Sequence, residues 1–470
     1  MSQGGAVDED SADSSSSPVL PPGTEPFRHA LTDTPLNWRR VVTWSLYDWG
    51  TQPYHSVIIT FVFAVYITGS SFGDVNHTTS ALSVATGISG LFIALLAPVL
   101  GQSADRSGRT VTLLRVLTAA IVVLSAALFL IKPHPDYLVL GLTFFAAGTL
   151  AAEIAAATYN ATIDQVASGR SVGRVSGFGW GFGYIGGIVS LLTIYFAFIH
   201  PTVGLFGVTG AEGLSIRVSM LFCATWTLLF TLAPLLMLRN QPRRVTDGTH
   251  PGILGSYREL WRTLVNLWRT DRPLVTFLIA SAVFRDGLAG VFTFGAVIAA
   301  GTFGFSAGDV IIFGAVANVT AGVSTILCGF LDDWIGPRRV ILFSLAALAV
   351  LGGGVFVFHA GGTKAFWILG LGMTLFVGPA QSAARSYLAR LIPEGKSGEV
   401  FGLYATTGRA ISFLSPLFFY LAVQIGIALK HEDNSQYWGI LGIVVLLLVG
   451  LIVMLRVRDI PTEQAKTSTR

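Results

Sequence analysis

The sequence predicts an all-α, polytopic membrane protein in which twelve transmembrane helices form two pseudo-symmetric six-helix bundles. Composition gives the first indication. Hydrophobic residues make up 52% of the 470-residue chain and charged residues only 12%, and the mean hydropathy is +0.65. These values lie well outside those of soluble globular domains. The spacing of the apolar windows and an internal repeat give the rest of the fold class.

Twelve apolar windows follow one another along the chain, each near the roughly 20 residues that a spanning helix needs. In the first half they run approximately over residues 41–68, 80–100, 110–131, 137–160, 174–199 and 216–238. In the second half they run approximately over 273–300, 308–330, 338–359, 364–389, 398–426 and 436–456. The predicted domains are therefore a disordered tail (1–35), an N-terminal bundle (36–238), a linker (239–272), a C-terminal bundle (273–458) and a second tail (459–470).

A polar signature occurs once in each half, between the second and third helix of each predicted bundle. It consists of a glycine, an acid four residues later, a glycine three residues further and then arginine. The two copies span residues 101–110 and 329–339. Gly108 allows a tight turn, and Asp105 can accept hydrogen bonds from an arginine or from the amide groups at a neighbouring helix N-terminus. Two copies in register indicate a duplicated membrane protein.

The distribution of Lys and Arg predicts the orientation of the chain. Only four of the thirty Lys and Arg residues are assigned to connectors on the side opposite the signatures: Lys132, Arg217, Lys364 and Lys430. The positive-inside rule then places the signatures, the linker and both termini in the cytoplasm. The excess of Arg over Lys, with much Ala, Gly and Val, is typical of a high-GC bacterium and favours the inner (plasma) membrane. The net charge of +4 needs no nucleic-acid partner.

The linker contains an amphipathic segment between Tyr257 and Arg269. Two interpretations stay open for it: a helix lying on the cytoplasmic membrane surface, or a linker helix packed on the protein. Cys223 and Cys328 fall inside predicted spans, so neither a disulfide framework nor a metal site is predicted. No cofactor is expected.

The paired connectors resemble the loop signature of the major facilitator superfamily, G-x-x-x-D-R-x-G-R-[RK]. Four further segments resemble the Atg22-like or UMF1 branch of that superfamily, whose fungal members are described as vacuolar amino-acid effluxers. These segments are Tyr47-Asp48-Trp49, residues 159–180, Arg285-Asp286-Gly287 and residues 381–393. Helix 1 departs from the usual YDWANSAY of that branch, because Gly50, Thr51, Gln52 and Pro53 follow Trp49.

The resemblance implies that the signature residues gate the cytoplasmic side, with Asp105 and Arg109 as a latch in the outward-open state. The alternative is a topological anchor without a gating role. The predicted gating residues are Asp105, Arg106, Gly108, Arg109, Asp333, Gly336, Arg338 and, near the start of helix 11, Arg409. The resemblance also implies that helices 1, 4, 7 and 10 line the central cavity.

Polar and ionisable residues inside these four helices are the candidates for proton and substrate binding. An ionisable group in a spanning helix costs at least about 2.5 to 3.5 kcal/mol on insertion scales. The candidates are Asp48, Gln52, Glu153, Asn160, Arg285, Asp286, Gln381 and Arg385. We expect Glu153 or Asp48 to carry the coupling proton, and Arg285 to clamp a substrate carboxylate or to neutralise an acid. Purely structural ion pairs are the alternative for each of them.

The predicted function is that of a secondary active transporter, not an enzyme, which couples protons to the movement of a small polar metabolite by alternating access. An amino acid or similar solute and the export direction are favoured by the branch that the chain resembles. The expected partners are the substrate, protons and the lipid bilayer, with the protein as a monomer. Two alternatives stay open: a lipid or glycolipid flippase, and a non-transporting receptor or enzyme built on the same scaffold.

Overall fold

The computed structural model describes residues 36–167, 170–240, 258, 272–392, 396–430 and 435–459. The predicted tails before residue 36 and after residue 459 lie outside these residues. So does the linker between 241 and 271, apart from Arg258, and with it the predicted amphipathic segment. The described part of the chain is almost entirely helical, with one isolated antiparallel bridge between Val203 and Thr209.

The helices follow the predicted order. In the first half they are α1 (Trp38–Pro53), α2 (Val75–Ser107), α3 (Thr110–Ala127), α4 (Leu138–Asn160), α5 (Val172–Ile194) and α6 (Leu214–Met237). In the second half they are α7 (Arg272–Gly301), α8 (Ala307–Ile335), α9 (Pro337–Val357), α10 (Gly362–Leu391), α11a (Ser397–Ala410), α11b (Leu414–Lys430) and α12 (Gly439–Leu455). The eleventh predicted window is thus divided into two helices.

Eleven helices within the described residues are long and apolar enough to cross a membrane. The twelfth is α1, whose 16 residues continue directly into eight residues of π-helix, Tyr54–Phe61. Pro53 explains the change of helix type because it has no N–H to donate to the carbonyl of Trp49, four residues earlier. That carbonyl instead accepts a hydrogen bond from the indole Nε1 of Trp226, at 3.2 Å. The twelve-helix fold is confirmed.

Each half of the chain buries a hydrophobic core of its own. One large cluster is built mainly from α1 to α6 and contains Trp44 and Tyr54. The other is built mainly from α7 to α12 and contains Phe277 and Tyr387. Most of each core therefore lies within one half of the chain.

Both signature connectors turn at a glycine with positive φ. Gly108 has φ +66° between α2 and α3, and Gly336 has φ +93° between α8 and α9. A side chain at such a φ is strained, which is why the signature requires glycine there. Pro337 follows as the first residue of α9, where its missing N–H costs nothing. We call the end of the bundle that carries these two connectors the signature end.

Candidate functional site

Two pseudo-symmetric interfaces join the halves and reach the signature end. In one, α2 packs against α11a, and in the other, α8 packs against α5. Glycines set the close approach. A Cβ on Gly101 would overlap the backbone of Gly398, and a Cβ on Gly177 would lie 2.8 Å from the Cα of Gly329. Small residues of this kind allow helix backbones to touch inside a membrane.

In each signature, the acid four residues after the first glycine binds a helix N-terminus of the opposite half. A carboxylate oxygen of Asp105 accepts a hydrogen bond from the backbone N–H of Glu399 in the first turn of α11a, at 2.9 Å. Asp333 accepts from the backbone N–H groups of Gly173 and Arg174 in the first turn of α5, at 2.8 and 3.1 Å. A carboxylate at a helix N-terminus is stabilised by the helix dipole and by the otherwise unpaired N–H groups.

Charged side chains reinforce the α5–α8 interface. Asp333 also accepts from Arg174 Nε at 2.7 Å and from Arg390 Nη2 at 2.8 Å. Arg390 binds the neighbouring Asp332 at 2.9 Å through Nη1. Asp333 is therefore shared between a helix N-terminus and two arginines, Arg174 and Arg390.

The remaining predicted gating residues of the signatures lie around these interfaces. Arg106 is half-buried, and Arg109 is exposed. Arg338 donates to the carbonyl of Leu455 in its own half, at 2.9 Å. In this conformation the structure brings Asp105 and Asp333 into the contact between the halves, and it does not bring Arg109 there.

Deeper in the bundle, Arg385 of α10 crosses into the first half. Its side chain is only 2% exposed. Nη1 lies 3.3 Å from a carboxylate oxygen of Asp48 and 3.0 Å from the amide oxygen of Asn160. Nε and Nη2 donate to the hydroxyl and the carbonyl of Ser176, at 2.9 and 2.6 Å. Tyr159 completes the cluster by donating its hydroxyl to Asp48.

A second acid–arginine pair joins the halves between α4 and the end of α11a. Glu153 binds Arg409, and the two side chains keep 25% and 27% of their surface exposed. Both side chains are therefore only partly buried at this contact between the halves. His55 interacts electrostatically with this pair from the first half, and Arg285 interacts electrostatically with Glu153 from the second.

The remaining predicted residues take different positions. Gln381 accepts a hydrogen bond from the hydroxyl of Tyr184, at 3.1 Å across the halves. Gln52 lies on α1 facing Gly183 of α5. Asp286 is 7% exposed and accepts from the backbone N–H of Ser415 at 2.6 Å, in the first turn of α11b. Asp286 thus stabilises the second part of the divided helix.

Sequence reasoning missed the partner side of the two interfaces. The segments G-R-V-S-G at 173–177 and G-E-V-F-G at 398–402 are a second internal repeat. Both begin the helix that receives a signature acid, and their glycines contact the opposite half. A search for pairs of repeats would have found this one. Sequence reasoning also missed the roles of Ser176 and Tyr404, because a lone serine or tyrosine inside an apolar helix carries no signal of its own.

Comparison with known proteins agrees with this architecture. The family described as "Vacuole effluxer Atg22 like" matches residues 37–466. The uncharacterized MFS-type transporter YxiO of Bacillus subtilis is 26% identical over 420 residues, which cover 88% of this chain and 93% of that protein. Autophagy-related protein 22 of Yarrowia lipolytica is 26% identical over 318 residues, covering 60% of this chain and 50% of that protein.

Solved structures show the same fold. The proton:xylose symporter XylE matches with a TM-score of 0.67 at 14% identity, over 90% of this chain and 96% of that one. The transporter FucP in the outward conformation matches with a TM-score of 0.64 at 13% identity, over 89% and 98%. A bacterial homologue of the iron transporter ferroportin in an outward-facing state gives 0.61 at 14% identity, over 89% and 98%. At such identities the likeness concerns the fold alone.

Proposed function

The chain belongs to the Atg22-like family of the major facilitator superfamily and is a secondary transporter, and we propose that it couples proton movement to the export of a small polar metabolite. The observation that carries this proposal is the pair of contacts Asp48–Arg385 and Glu153–Arg409. In each contact the acid belongs to the first half and the arginine to the second. Both contacts must therefore change when the halves move apart.

Alternating access is supported by where the halves touch. The α2–α11a interface runs from Asp105 and Glu399 to the hydrogen bond between Thr406 and the carbonyl of Ala94. Beyond that level α11b packs on α7 and α12 of its own half. We place the signature end in the cytoplasm of a bacterial inner membrane, by the positive-inside rule. The described conformation is then closed to the cytoplasm.

Protonation of a paired acid supplies the coupling step. A neutral carboxyl no longer holds its arginine. Removing one partner of a fully buried pair destabilises a protein by about 3 to 5 kcal/mol, and the effect is smaller for a partly exposed pair such as Glu153 and Arg409. We assign the proton to Glu153, because both members of its pair are partly exposed. Asp48 serves as a lock, because the guanidinium it binds is 2% exposed.

The cargo proposal rests on polar side chains at the contact between the halves and on the family. Gln381 and Tyr184 place an amide and a hydroxyl group at the contact between the halves. Such groups fit a small polar solute such as an amino acid better than a lipid tail. Export follows the description of the family as effluxers.

The test is substrate-dependent proton movement in proteoliposomes that contain a pH-sensitive dye and receive pooled amino acids, peptides, sugars or organic acids. We expect at least one pool to move protons with the wild type, and Glu153→Gln to reduce the signal to background. Glu212→Gln is the matched control, because Glu212 pairs with Lys132 and its side chain is 68% exposed. Solute flux without proton movement would refute the coupling, and the absence of flux with every pool would refute the transport of a small polar solute.

A further inference from the structure

Arg285 of α7 has a preformed site on α11a. The centre of its guanidinium lies 3.7 Å from the centroid of the Tyr404 ring. Nη1 donates to the carbonyl of Tyr404 at 3.0 Å. A Cβ on Gly408 would lie 2.6 Å from Nη2, so glycine at this position leaves the room that the guanidinium occupies. The ring, the carbonyl and the glycine together fix the plane of the guanidinium.

Three arginines reach the middle of the bundle, and Arg285 differs from the other two. Arg385 is paired with Asp48 and Arg409 with Glu153. Within the described residues Arg285 forms no ion pair with a carboxylate. Arginine stays protonated in proteins, and an unpaired charge inside a membrane is costly. Arg285 therefore carries a positive charge that the described part of the protein does not neutralise by contact.

The acids nearest to Arg285 are already engaged. Glu153 interacts with Arg285 electrostatically, but its carboxylate binds Arg409. Asp286 follows Arg285 in the chain, and its carboxylate accepts from the backbone of Ser415. Neither of these carboxylates is therefore left to pair with Arg285.

We propose that Arg285 binds an oxyanion of the cargo, a carboxylate or a phosphate, with Tyr404 as the residue that positions the guanidinium. A guanidinium has five N–H donors in a planar fork that matches two oxygens of such a group. One of them is used by the carbonyl of Tyr404. The inference rests on the proposed transport function, since it specifies the charge of the transported solute.

The test measures binding rather than transport. Thermal stabilisation of the purified full-length protein in detergent is titrated with three sets of probes. These are carboxylates (acetate, succinate and glutamate), phosphates (inorganic phosphate and glycerol 3-phosphate) and neutral solutes (xylose and glycerol). We expect one of the two anionic sets to bind the wild type, and Arg285→Gln to weaken that binding by about 10- to 100-fold, as expected for loss of a charge-assisted pair.

Two further variants make the result decisive. Arg285→Lys keeps the charge but not the fork, so we expect intermediate binding even if Arg285→Gln folds poorly. Arg217→Gln is the matched control, because Arg217 also lies over a ring, that of Phe129, and donates to its carbonyl at 2.6 Å. The proposal is overturned if no anionic set binds, if Arg285→Gln binds anions like the wild type, or if Arg217→Gln loses as much. If anions bind through Arg285 and no solute is transported in liposomes, the proposed function fails and the anion site stands.

Discussion

Replacing Gly177 by alanine tests whether the α5–α8 interface sets the balance between the two conformations of the transporter. In the described conformation a Cβ at this position would lie 2.7 Å from the carbonyl oxygen of Thr325 and 2.8 Å from the Cα of Gly329. Ordinary contacts begin at 3.4 Å. Both neighbours are backbone atoms, so neither can rotate away. The interface must therefore open by several tenths of an ångström.

The size of the effect follows from the cost of overpacking, which is typically about 1 to 3 kcal/mol. We expect the substitution to raise the free energy of only the conformation with a closed signature end, because alternating access separates α5 from α8 in the opposite conformation. A free-energy difference of about 1.4 kcal/mol changes an equilibrium constant tenfold. Gly177→Ala should thus shift the population toward the open signature end by roughly 5- to 150-fold.

The assay is the distance between two spin labels at the signature end, one in each half. Ser103 of α2 and Lys396 next to α11a are both exposed and suit labelling, in a background without Cys223 and Cys328. Gly183→Ala is the control. It makes the same change in the same helix, but its Cβ would be 3.6 Å from the nearest atoms. If Gly177→Ala leaves the distance distribution unchanged, or Gly183→Ala changes it equally, the interface does not set the balance.

Two further predictions concern the interior. Arg385→Met should destabilise the protein by about 3 to 5 kcal/mol, because it leaves the Asp48 carboxylate without its cation. The double variant with Asp48→Asn should recover part of this loss of thermal stability, and strictly additive losses would contradict the pairing. Trp226→Phe should cost about 1 to 3 kcal/mol, because the carbonyl of Trp49 that Pro53 leaves free loses its donor. An unchanged melting temperature for Trp226→Phe would show that this carbonyl is satisfied in another way.

The parts of the fold that were predictable are those encoded locally. Twelve apolar windows give twelve helices because spanning length and hydropathy are properties of a segment. The chain turns at the signature glycines, Gly108 and Gly336, with positive φ. A turn of this kind can be predicted from a single residue, because glycine adopts a positive φ without strain. The expectation that Asp105 accepts from a helix N-terminus needed only an acid placed just before a tight turn, and Asp333 follows the same rule.

The partners inside the bundle were not predictable in this way. Asp48 and Arg385 are 337 residues apart, and Glu153 and Arg409 are 256 apart. Which acid meets which arginine depends on how the two halves are rotated, and no local pattern records that. The break in α11 did carry a local signal that was missed. Pro416 has no N–H to donate to the carbonyl of Ser412, four residues earlier, and its ring disfavours a continuous helix there. The contact by which Asp286 of α7 stabilises the second part of the helix carries no such signal.

The arrangement of charge in the interior connects the two proposals. Deeper than the signature end, the acids that pair with arginines across the halves, Asp48 and Glu153, both belong to the first half. The arginines, Arg385, Arg409 and Arg285, all belong to the second. When the signature end opens, pairs that cross between the halves separate, and each half retains charge of one sign in a region where unpaired charge is costly. A proton on Glu153 removes charge from the first half, and an oxyanion on Arg285 removes charge from the second. We therefore expect the empty protein to open its signature end less readily than the protein that carries a proton on Glu153 and an oxyanion on Arg285. A proton-coupled carrier requires this same relation, because one that opened equally well when empty would let its coupling ion leak.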